Sequence, residues 1–283
     1  MIHRTEYHRF LVTGATGTIG REVVKALLEN RKKVRVLTRN PQKLENNEMV
    51  EVIKGDLTQP KTLKTALEDV DGIHLISFGD ENYTPLSTGK SIVDLAMKAG
   101  VKRATVLWNG EGNESTIERE IKNSPFDWTI LQPQEYMANA LGWTQSIIET
   151  NEVKEPFGDR PTAAIHESDV GAAIAHILMY GGHAQKTYTL TGPAVLTPKR
   201  QVLEIGKAIG REIKFTELNE EQTRERWRTW GLPKETMDYL YEWYDNTPPE
   251  GYTVTTTVED IIGRPAYSFQ KWVSDNIQHF RPI

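Results

Sequence analysis

Three glycines stand at three-residue intervals where an apolar run gives way to a helix-like segment. Residues 10–20 read FLVTGATGTIG, and REVVKALLEN follows. A turn this tight can require positive φ, and the absence of side chains lets a large anion approach the backbone. The amides and the dipole of the following helix would attract that anion. The pattern predicts a pyrophosphate-binding turn, with Thr13 adding a hydroxyl to the expected contacts Gly14, Thr16, Gly17, Thr18 and Ile19.

The spacing G-x-x-G-x-x-G differs from the G-x-G-x-x-G of many dehydrogenases, so an ordinary glycine-rich turn is the alternative. The residues after the next apolar segment favour the pyrophosphate-binding turn. KVRVLT is followed by Arg39, with Lys43 close behind, where an adenosine ribose would lie. A guanidinium suits a ribose 2′-phosphate, whereas an acid would suit a 2′-hydroxyl. The sequence predicts NADP(H) in preference to NAD(H), with a solvated surface charge as the alternative for Arg39.

The ends of three further strand-like segments complete the predicted cofactor site. Asp56, in the GDL that follows the third segment, is placed to accept a hydrogen bond from an adenine amino group, or else it caps the next helix. Leu57 stands beside it. In a parallel sheet these ends meet at one edge, so we also expect contacts after the fourth and sixth segments, from Ser77, Phe78, Gly79 and Gln132.

Strand-like and helix-like segments alternate from residue 8 to about residue 132. QPKTLKTALEDV, for example, has its apolar residues at helical spacing between two strand-like runs. Such alternation predicts an α/β fold with a doubly wound parallel sheet of the Rossmann type. We expect residues 1–153 to form the NADP-binding core. Residues 154–283 would form a smaller, mainly helical C-terminal region that packs on the core, partly completes the sheet and covers the substrate cleft.

Composition narrows the classes of function. The chain of 283 residues has no cysteine and a net charge of −5, without a cluster of lysines and arginines. Thiolate chemistry and disulfides are thereby excluded, and binding to nucleic acid or to an anionic membrane is not expected. The seven histidines form no HExxH motif, so no metal site is expected. No signal peptide or membrane-length apolar run is evident, so we expect a soluble, cytoplasmic protein.

Several segments resemble one family along nearly the whole chain. VTGATGTIG, TRNP and GDL, followed by DWTILQPQEYMAN, HESDVGAAIAHIL and IIGRPAYSFQKWVSDN, resemble the NmrA-like, atypical short-chain dehydrogenases. The resemblance implies a Rossmann fold and a bound nicotinamide cofactor. The chain departs from the family pattern at Gln132 and Gln134, where arginine and glycine are common.

The proton donor of conventional short-chain dehydrogenases is absent from its usual place in the chain. Those enzymes use Tyr-x-x-x-Lys, in which the lysine lowers the pKa of the tyrosine. Of the ten tyrosines here only Tyr267 has a lysine four residues later, Lys271, and this YSFQK lies near the C-terminus, far beyond the stretch where the pair would fall. Glu118, in the stretch where that tyrosine would fall, is the one acid there that we would test by mutation. Asp169 or Ser168, in IHESDV, is interpreted as the cap of the following helix.

Two functions remain open. The first is an NADPH-dependent reductase that transfers hydride to a small electrophilic compound, such as a quinone, an imine or an activated carbonyl. Tyr136 is then the candidate catalytic residue, with a packing aromatic as the alternative. The substrate pocket would be lined by Tyr83, Trp108, Asn109, Gln134, Glu135 and Asn139. The second function is a non-catalytic NADP(H)-sensing regulator of the NmrA type, whose partner would be another protein. A homodimer is compatible with either.

Overall fold

A central sheet and its flanking helices account for most of the regular structure. The computed structural model describes residues 9–44, 46–79, 84–108 and 115–281. Within them the strands are β1 (Arg9–Thr13), β2 (Lys33–Thr38), β3 (Val50–Lys54), β4 (Gly72–Ile76), β5 (Arg103–Leu107), β6 (Asp127–Pro133), β7 (Glu152–Glu155), β8 (Lys186–Leu190) and β9 (Lys214–Glu217). The helices are α1 (Thr18–Glu29), α2 (Gly89–Lys98), α3 (Thr116–Lys122), α4 (Thr144–Thr150), α5 (Glu167–Tyr180), α6 (Pro198–Ile209), α7 (Glu220–Thr229), α8 (Lys234–Asp245), α9 (Thr257–Ile262) and α10 (Phe269–Asn276).

The main sheet has seven strands in the order β3-β2-β1-β4-β5-β6-β8, and every neighbouring pair is parallel. The order reverses between β1 and β4. This reversal creates a crevice at the carboxyl ends of the strands, which is where ligands bind in doubly wound sheets. The predicted fold class is confirmed.

Helix α1 lies in this sheet's outer layer because one of its faces is apolar. Ile19, Val23 and Leu27 are buried, and the helix packs against α5. The small residues of α5 permit the close approach: a Cβ at Gly171 would lie 2.6 Å from the backbone of Glu22. The small residues of α5 therefore serve helix–helix packing.

The segment QPKTLKTALEDV does not form the predicted helix. It forms two short 3-10 turns, Pro60–Leu63 and Thr65–Leu67, which still bury their apolar side chains. The physical reason lies in β2, where Arg35 is 4% exposed. Its guanidinium group donates hydrogen bonds to carbonyl oxygens that a continuous α-helix would use for its own internal hydrogen bonds. It donates hydrogen bonds to the carbonyls of Thr65, Ala66 and Glu68.

The chain divides into two compact units that are interleaved in sequence. Unit 1 comprises residues 1–133, 167–190 and 257–264, and contains the seven-stranded sheet. Unit 2 comprises residues 134–166, 191–256 and 265–283, and contains the parallel pair β7 and β9. This division differs from a single cut near residue 153, because α5 and β8 complete the layers of unit 1. The assignment of residues 1–153 to the NADP-binding core and of residues 154–283 to a region that covers the substrate cleft stays a prediction.

Unit 2 has its own apolar core. Among its fully buried side chains, Phe269 stacks on Trp272, and Phe280 meets Trp272 edge to face beside α6. Tyr239 and Trp243 of α8 remain exposed. Of the helices in the described ranges, none is both long enough and apolar enough to span a membrane.

Candidate cofactor-binding site

The glycine turn is compact, and each of its glycines has a different structural role. Gly14 adopts φ +65°, and a Cβ there would lie 2.9 Å from Cγ2 of Ile76. The Gly17 amide donates to the Gly14 carbonyl over 2.9 Å, which closes the turn. A Cβ at Gly20 would lie only 2.1 Å from the Gly14 oxygen. The first turn of α1 therefore rests directly on the turn backbone.

The N-terminus of α1 is suited to an anion. Gly17 is the N-cap and supplies no side-chain hydrogen bond, so the first amides of the helix have no cap from it. Thr16 and Gly17 are exposed, whereas the Ile19 side chain is buried on the inner face of α1. Ile19 can therefore offer its backbone only.

Thr13 does not fit the role predicted for its hydroxyl. Its Oγ1 donates to the His74 carbonyl over 2.9 Å and accepts from the Ile76 amide over 3.0 Å. The hydroxyl thus joins the carboxyl ends of β1 and β4, where their backbone pairing has stopped. It is engaged between the strands and is not directed to phosphate.

A cavity of about 410 Å³ opens beside the turn, at the carboxyl ends of β1 to β4. It brings together residues from four segments that are far apart in sequence. Its lining consists of Thr13, Gly14, Thr16, Leu37, Thr38, Arg39, Asn40, Gly55, Asp56, Leu57, Ile76, Phe78 and Gly79. Seven of the predicted cofactor residues are among them: Gly14, Thr16, Arg39, Asp56, Leu57, Phe78 and Gly79.

Arg39 brings a positive charge to this cavity. Its guanidinium donates a hydrogen bond to the Gly79 carbonyl over 3.2 Å, across the carboxyl ends of β2 and β4. Among the described residues, no carboxylate forms an ion pair with it. The charge is therefore not neutralised there and is suited to a phosphate group.

Asp56 does not cap a helix, because the 3-10 turn that follows begins at Pro60 with Gln59 as its N-cap. Its Oδ1 accepts from both the amide and the hydroxyl of Thr58, each over 2.8 Å, which fixes the start of the following turn. Within the described ranges, Oδ2 accepts no hydrogen bond. This second oxygen lies on a residue of the cavity lining and can accept one from an adenine amino group.

The remaining predicted cofactor residues do not line the cavity. Ser77 is fully buried, and its hydroxyl donates to the Leu107 carbonyl of β5 over 3.3 Å. Gln132 lies on β6 and is half-buried. Gly17, Thr18 and Ile19 lie at the start of α1, where Gly17 is the N-cap. The Lys43 side chain falls outside the described part of the chain.

Five lining residues were not predicted from the sequence, namely Leu37, Thr38, Asn40, Gly55 and Ile76. Each lies in the last two residues of β2 or β4, or within two residues after β2 or β3. Gly55 packs closely against Leu37, because a Cβ at position 55 would lie 2.5 Å from Cδ1 of that side chain. Position at a strand's carboxyl end was the signal that could have identified them.

The predicted substrate residues are distributed between the two units. Trp108 is half-buried in unit 1 and packs on its core. Tyr83 and Asn109 lie outside the described residues. The others belong to unit 2 and follow β6: Gln134, Glu135, Tyr136 and Asn139.

In unit 2 these residues have defined local environments. Glu135 forms an ion pair with Arg160 over 2.7 Å, and the Arg160 guanidinium lies 4.6 Å from the centre of the Tyr244 ring. Gln134 donates to the Glu250 carbonyl over 3.2 Å. Tyr136 is half-buried and precedes a 3-10 helix. Asn139 is exposed.

Glu118 and Asp169, two acids whose roles the sequence did not decide, both have structural roles. Glu118 is 3% exposed and forms a capping box with Ser115 at the start of α3, which accounts for its burial. Asp169 is not a cap, because α5 begins two residues earlier, at Glu167. It is fully buried and pairs with Arg264 over 2.7 Å, which ties α5 to the end of α9. The segments HESDV and IIGRP thus meet through one ion pair.

The cavity residues fit the adenosine and pyrophosphate part of a nicotinamide dinucleotide. The glycines leave space that any Cβ would fill, α1 presents its N-terminus, and Arg39 and Asp56 offer complementary groups for a phosphate and an amino group. No group of three or more His, Cys, Asp or Glu residues suited to a metal ion occurs within the described ranges.

Comparison with known proteins agrees with this geometry. Residues 14–109 match a family model described as NAD(P)H-binding. The chain is 28% identical to the (4-alkanoyl-5-oxo-2,5-dihydrofuran-3-yl)methyl phosphate reductase of Streptomyces griseus, over 96% of this chain and 99% of that protein. It is 29% identical to the NAD(P)H azoreductase of Xenophilus azovorans, over 95% of this chain and 98% of that protein.

Solved structures share the fold. The NADPH complex of the NADPH-dependent quinone oxidoreductase of Escherichia coli has a TM-score of 0.78 at 23% identity, covering 94% of this chain and 99% of that chain. NmrA, a negative transcriptional regulator in complex with NAD, has a TM-score of 0.74 at 14% identity, covering 96% of each chain. The comparisons support the resemblance found in the sequence: residues 14–109 form an NAD(P)H-binding segment, and the chain shares its fold with NmrA and with the quinone oxidoreductase.

Proposed function

We propose that the protein is an NADPH-dependent reductase that transfers hydride to a small electrophilic compound, such as a quinone, an imine or an activated carbonyl. The observation that carries the proposal is the similarity, along nearly the full length of both chains, to two reductases with small-molecule acceptors. The similarity therefore extends through unit 2 as well as through the cofactor-binding segment.

The choice of NADPH over NADH is part of the proposal and rests on Arg39. Position 39 carries a guanidinium on the cavity lining where an NAD-selective site would carry an acid. Its described partner is a neutral carbonyl, so the side chain can turn to a 2′-phosphate without breaking an ion pair. Lys43, three residues after Asn40, would add a second positive charge.

The residues of the chain have separate tasks in this mechanism. The start of α1 binds the pyrophosphate, Arg39 binds the 2′-phosphate, and Asp56 holds the adenine through Oδ2. When bound, the nicotinamide supplies the hydride. Ser77, Phe78, Gly79 and Gln132 are proposed to complete the cofactor contacts.

Electrophiles with conjugated acceptors suit this site, because the one Tyr-x-x-x-Lys of the sequence, Tyr267 and Lys271, lies in unit 2 and outside the cavity lining. Hydride addition to such a compound leaves a delocalised anion that takes its proton from water, so a strong protein acid is not required. We propose Tyr136 as the polar group near the reacting atom. The proposed substrate contacts are Tyr83, Trp108, Asn109, Gln134, Glu135 and Asn139.

The decisive experiment measures turnover and binding separately. Purified protein is mixed with NADPH and a panel containing an azo dye, quinones, ketones and imines, and loss of nicotinamide absorbance is followed. Binding of NADPH is measured by calorimetry on the same sample. Turnover with one class of acceptor is expected. Tight binding of NADPH without turnover of any acceptor would refute the reductase and favour the NADP(H)-sensing regulator.

A further inference from the structure

We infer that the connection between α5 and β8 binds a late first-row divalent metal ion, such as Zn²⁺, through the imidazoles of His176 and His183. His176 lies near the end of α5, and His183 lies three residues before β8 begins. Both belong to unit 1, at the amino-terminal end of the parallel sheet. The cofactor cavity lies at the carboxyl ends of β1 to β4 in the same sheet, so the inferred site is distinct from it.

The two rings are close enough to share one ion. Their centres are 6.3 Å apart, and their planes are inclined by 77°. Zinc binds imidazole nitrogen at about 2.0–2.1 Å, so a shared ion lies about 3.2 Å from each ring centre. Two ligand rings are then separated by about 5.2 Å at a tetrahedral angle and by at most about 6.4 Å. A shift of about 1 Å in either half-exposed side chain would give the tetrahedral arrangement.

His183 already has the outer hydrogen bond that is typical of a metal ligand. Its Nδ1 lies 3.0 Å from the Tyr188 hydroxyl, and the two rings meet edge to face. In the tautomer that donates from Nδ1, the lone pair of Nε2 is left for a metal ion. Such an outer partner fixes the tautomer and the orientation of a ligating histidine.

The electrostatics of the connection favour neutral imidazoles, which are the form that binds metals. Burial lowers the pKa of both histidines, and the charge of His176 lowers the pKa of His183 further. The carboxyl end of α5 attracts a cation. Arg103 opposes this attraction, because its guanidinium bonds the Leu178 carbonyl and lies beside Gly181.

The inferred site has two protein ligands. The described part of the chain supplies no third His, Cys, Asp or Glu to such a group, and Tyr180 packs its exposed ring against His176. Water would complete the coordination. The ion would hold the end of α5 to the start of β8 and would not take part in hydride transfer.

Calorimetry and NMR test the inference on the full-length, untagged protein. ZnCl₂ and NiCl₂ are titrated, with MgCl₂ as the ion that imidazole ligands disfavour. One Zn²⁺ per chain is expected, with Mg²⁺ silent. Long-range ¹H–¹⁵N spectra should show simultaneous shifts of the Nε2 signal of His183 and of one ring nitrogen of His176. These spectra need no variant and therefore do not depend on whether a variant folds.

Variants then identify the ligands. His176→Gln and His183→Gln should each weaken Zn²⁺ binding at least about 10-fold, and Tyr188→Phe should weaken it about 10-fold by removing the outer hydrogen bond. The matched control is His279→Gln, since His279 is exposed and lies in unit 2. Binding that is absent at millimolar Zn²⁺, or that survives in both histidine variants, would overturn the inference. NADPH oxidation is expected to be the same with and without the ion.

Discussion

Individual side chains account for most of the proposed cofactor selectivity and for one large effect of pH on stability. Arg39 and Asp56 lie on the same cavity lining, yet each has only part of its bonding capacity engaged by the protein. His74 differs from both, because it is fully buried in the centre of the sheet. Arg39 follows β2 and Asp56 lies two residues after β3, whereas His74 lies within β4, and these positions determine which of them can meet a ligand.

Arg39→Ala should reduce the preference for NADPH over NADH. The change removes the one cationic side chain of the cavity lining, and a charge-assisted hydrogen bond contributes about 1.5–3 kcal/mol. The ratio of the two dissociation constants, measured by calorimetry, should therefore fall by about 10-fold or more. Lys25→Ala, which removes an exposed charge from α1 away from the cavity, is the control. An unchanged ratio in Arg39→Ala would contradict the role given to this residue.

His74 should make the protein less stable in mild acid. Burial lowers its pKa from 6.5 to about 3. Between these values the unfolded chain binds a proton that the folded chain does not, so the free energy of unfolding falls as the pH falls. The loss is about 1.4 kcal/mol per pH unit, or about 2 kcal/mol between pH 7 and pH 5.

Urea denaturation at both pH values measures this loss. His74→Asn removes the titrating group and retains a polar partner for the Thr105 hydroxyl, which lies 3.0 Å from His74 Nδ1. The variant should lose about 2 kcal/mol less than the wild type on acidification. His279→Asn, at an exposed histidine, should behave like the wild type. Equal losses in the wild type and His74→Asn would show that His74 is not the cause.

At the scale of elements, the glycine turn packs directly against the first helix, α1. The helical pattern of TIGREVVKALLEN was predicted correctly, since α1 spans Thr18–Glu29 with one buried face. The contact of Gly20 with the turn backbone was not evident from the pattern, because it depends on how tightly residues 14–17 fold. The 3-10 turns after β3 were not evident from the local pattern either. Their carbonyls accept hydrogen bonds from Arg35, which lies on another element, β2.

Gly20→Ala should impair cofactor binding and stability together. The added Cβ would lie 2.1 Å from the Gly14 oxygen, so α1 must move away from the turn. We expect a loss of about 1–3 kcal/mol in the free energy of unfolding and NADPH binding weakened at least about 10-fold. Gly142→Ala is the matched control, because nothing lies within 4 Å of its Cβ position. Wild-type NADPH affinity in Gly20→Ala would contradict this account of the turn.

At the scale of the whole molecule, the chain leaves unit 1 after Pro133 and returns to it twice. Residues 167–190 bring α5 and β8, and residues 257–264 bring α9, whose end is tied to α5 by the Asp169–Arg264 pair. Six strand-like segments were predicted from residues 8–132, and the C-terminal region was expected to complete part of the sheet. The seventh strand, β8, comes from the part of the sequence assigned to the C-terminal region.

A fragment ending at residue 153 should therefore fail to fold. It would lack α5, which covers the buried face of α1, and β8, which pairs with β6. We expect no cooperative thermal transition and poor dispersion of amide signals in NMR spectra. A fragment ending at Leu190 restores α5 and β8 and is the comparison. A cooperatively folded fragment 1–153 would show that the predicted boundary marks an independent domain.

The sequence by itself determined the alternation of elements, the glycine turn, the positions of Arg39 and Asp56, and the absence of Tyr-x-x-x-Lys from the stretch where conventional short-chain dehydrogenases carry it. These depend on local periodicity and on residue type at strand ends, which short windows of sequence contain. Only the tertiary structure decided that Thr13 and Ser77 turn their hydroxyls into the sheet, and that Asp169 meets Arg264. Such contacts join segments up to about a hundred residues apart, and their geometry exists only once the layers have packed.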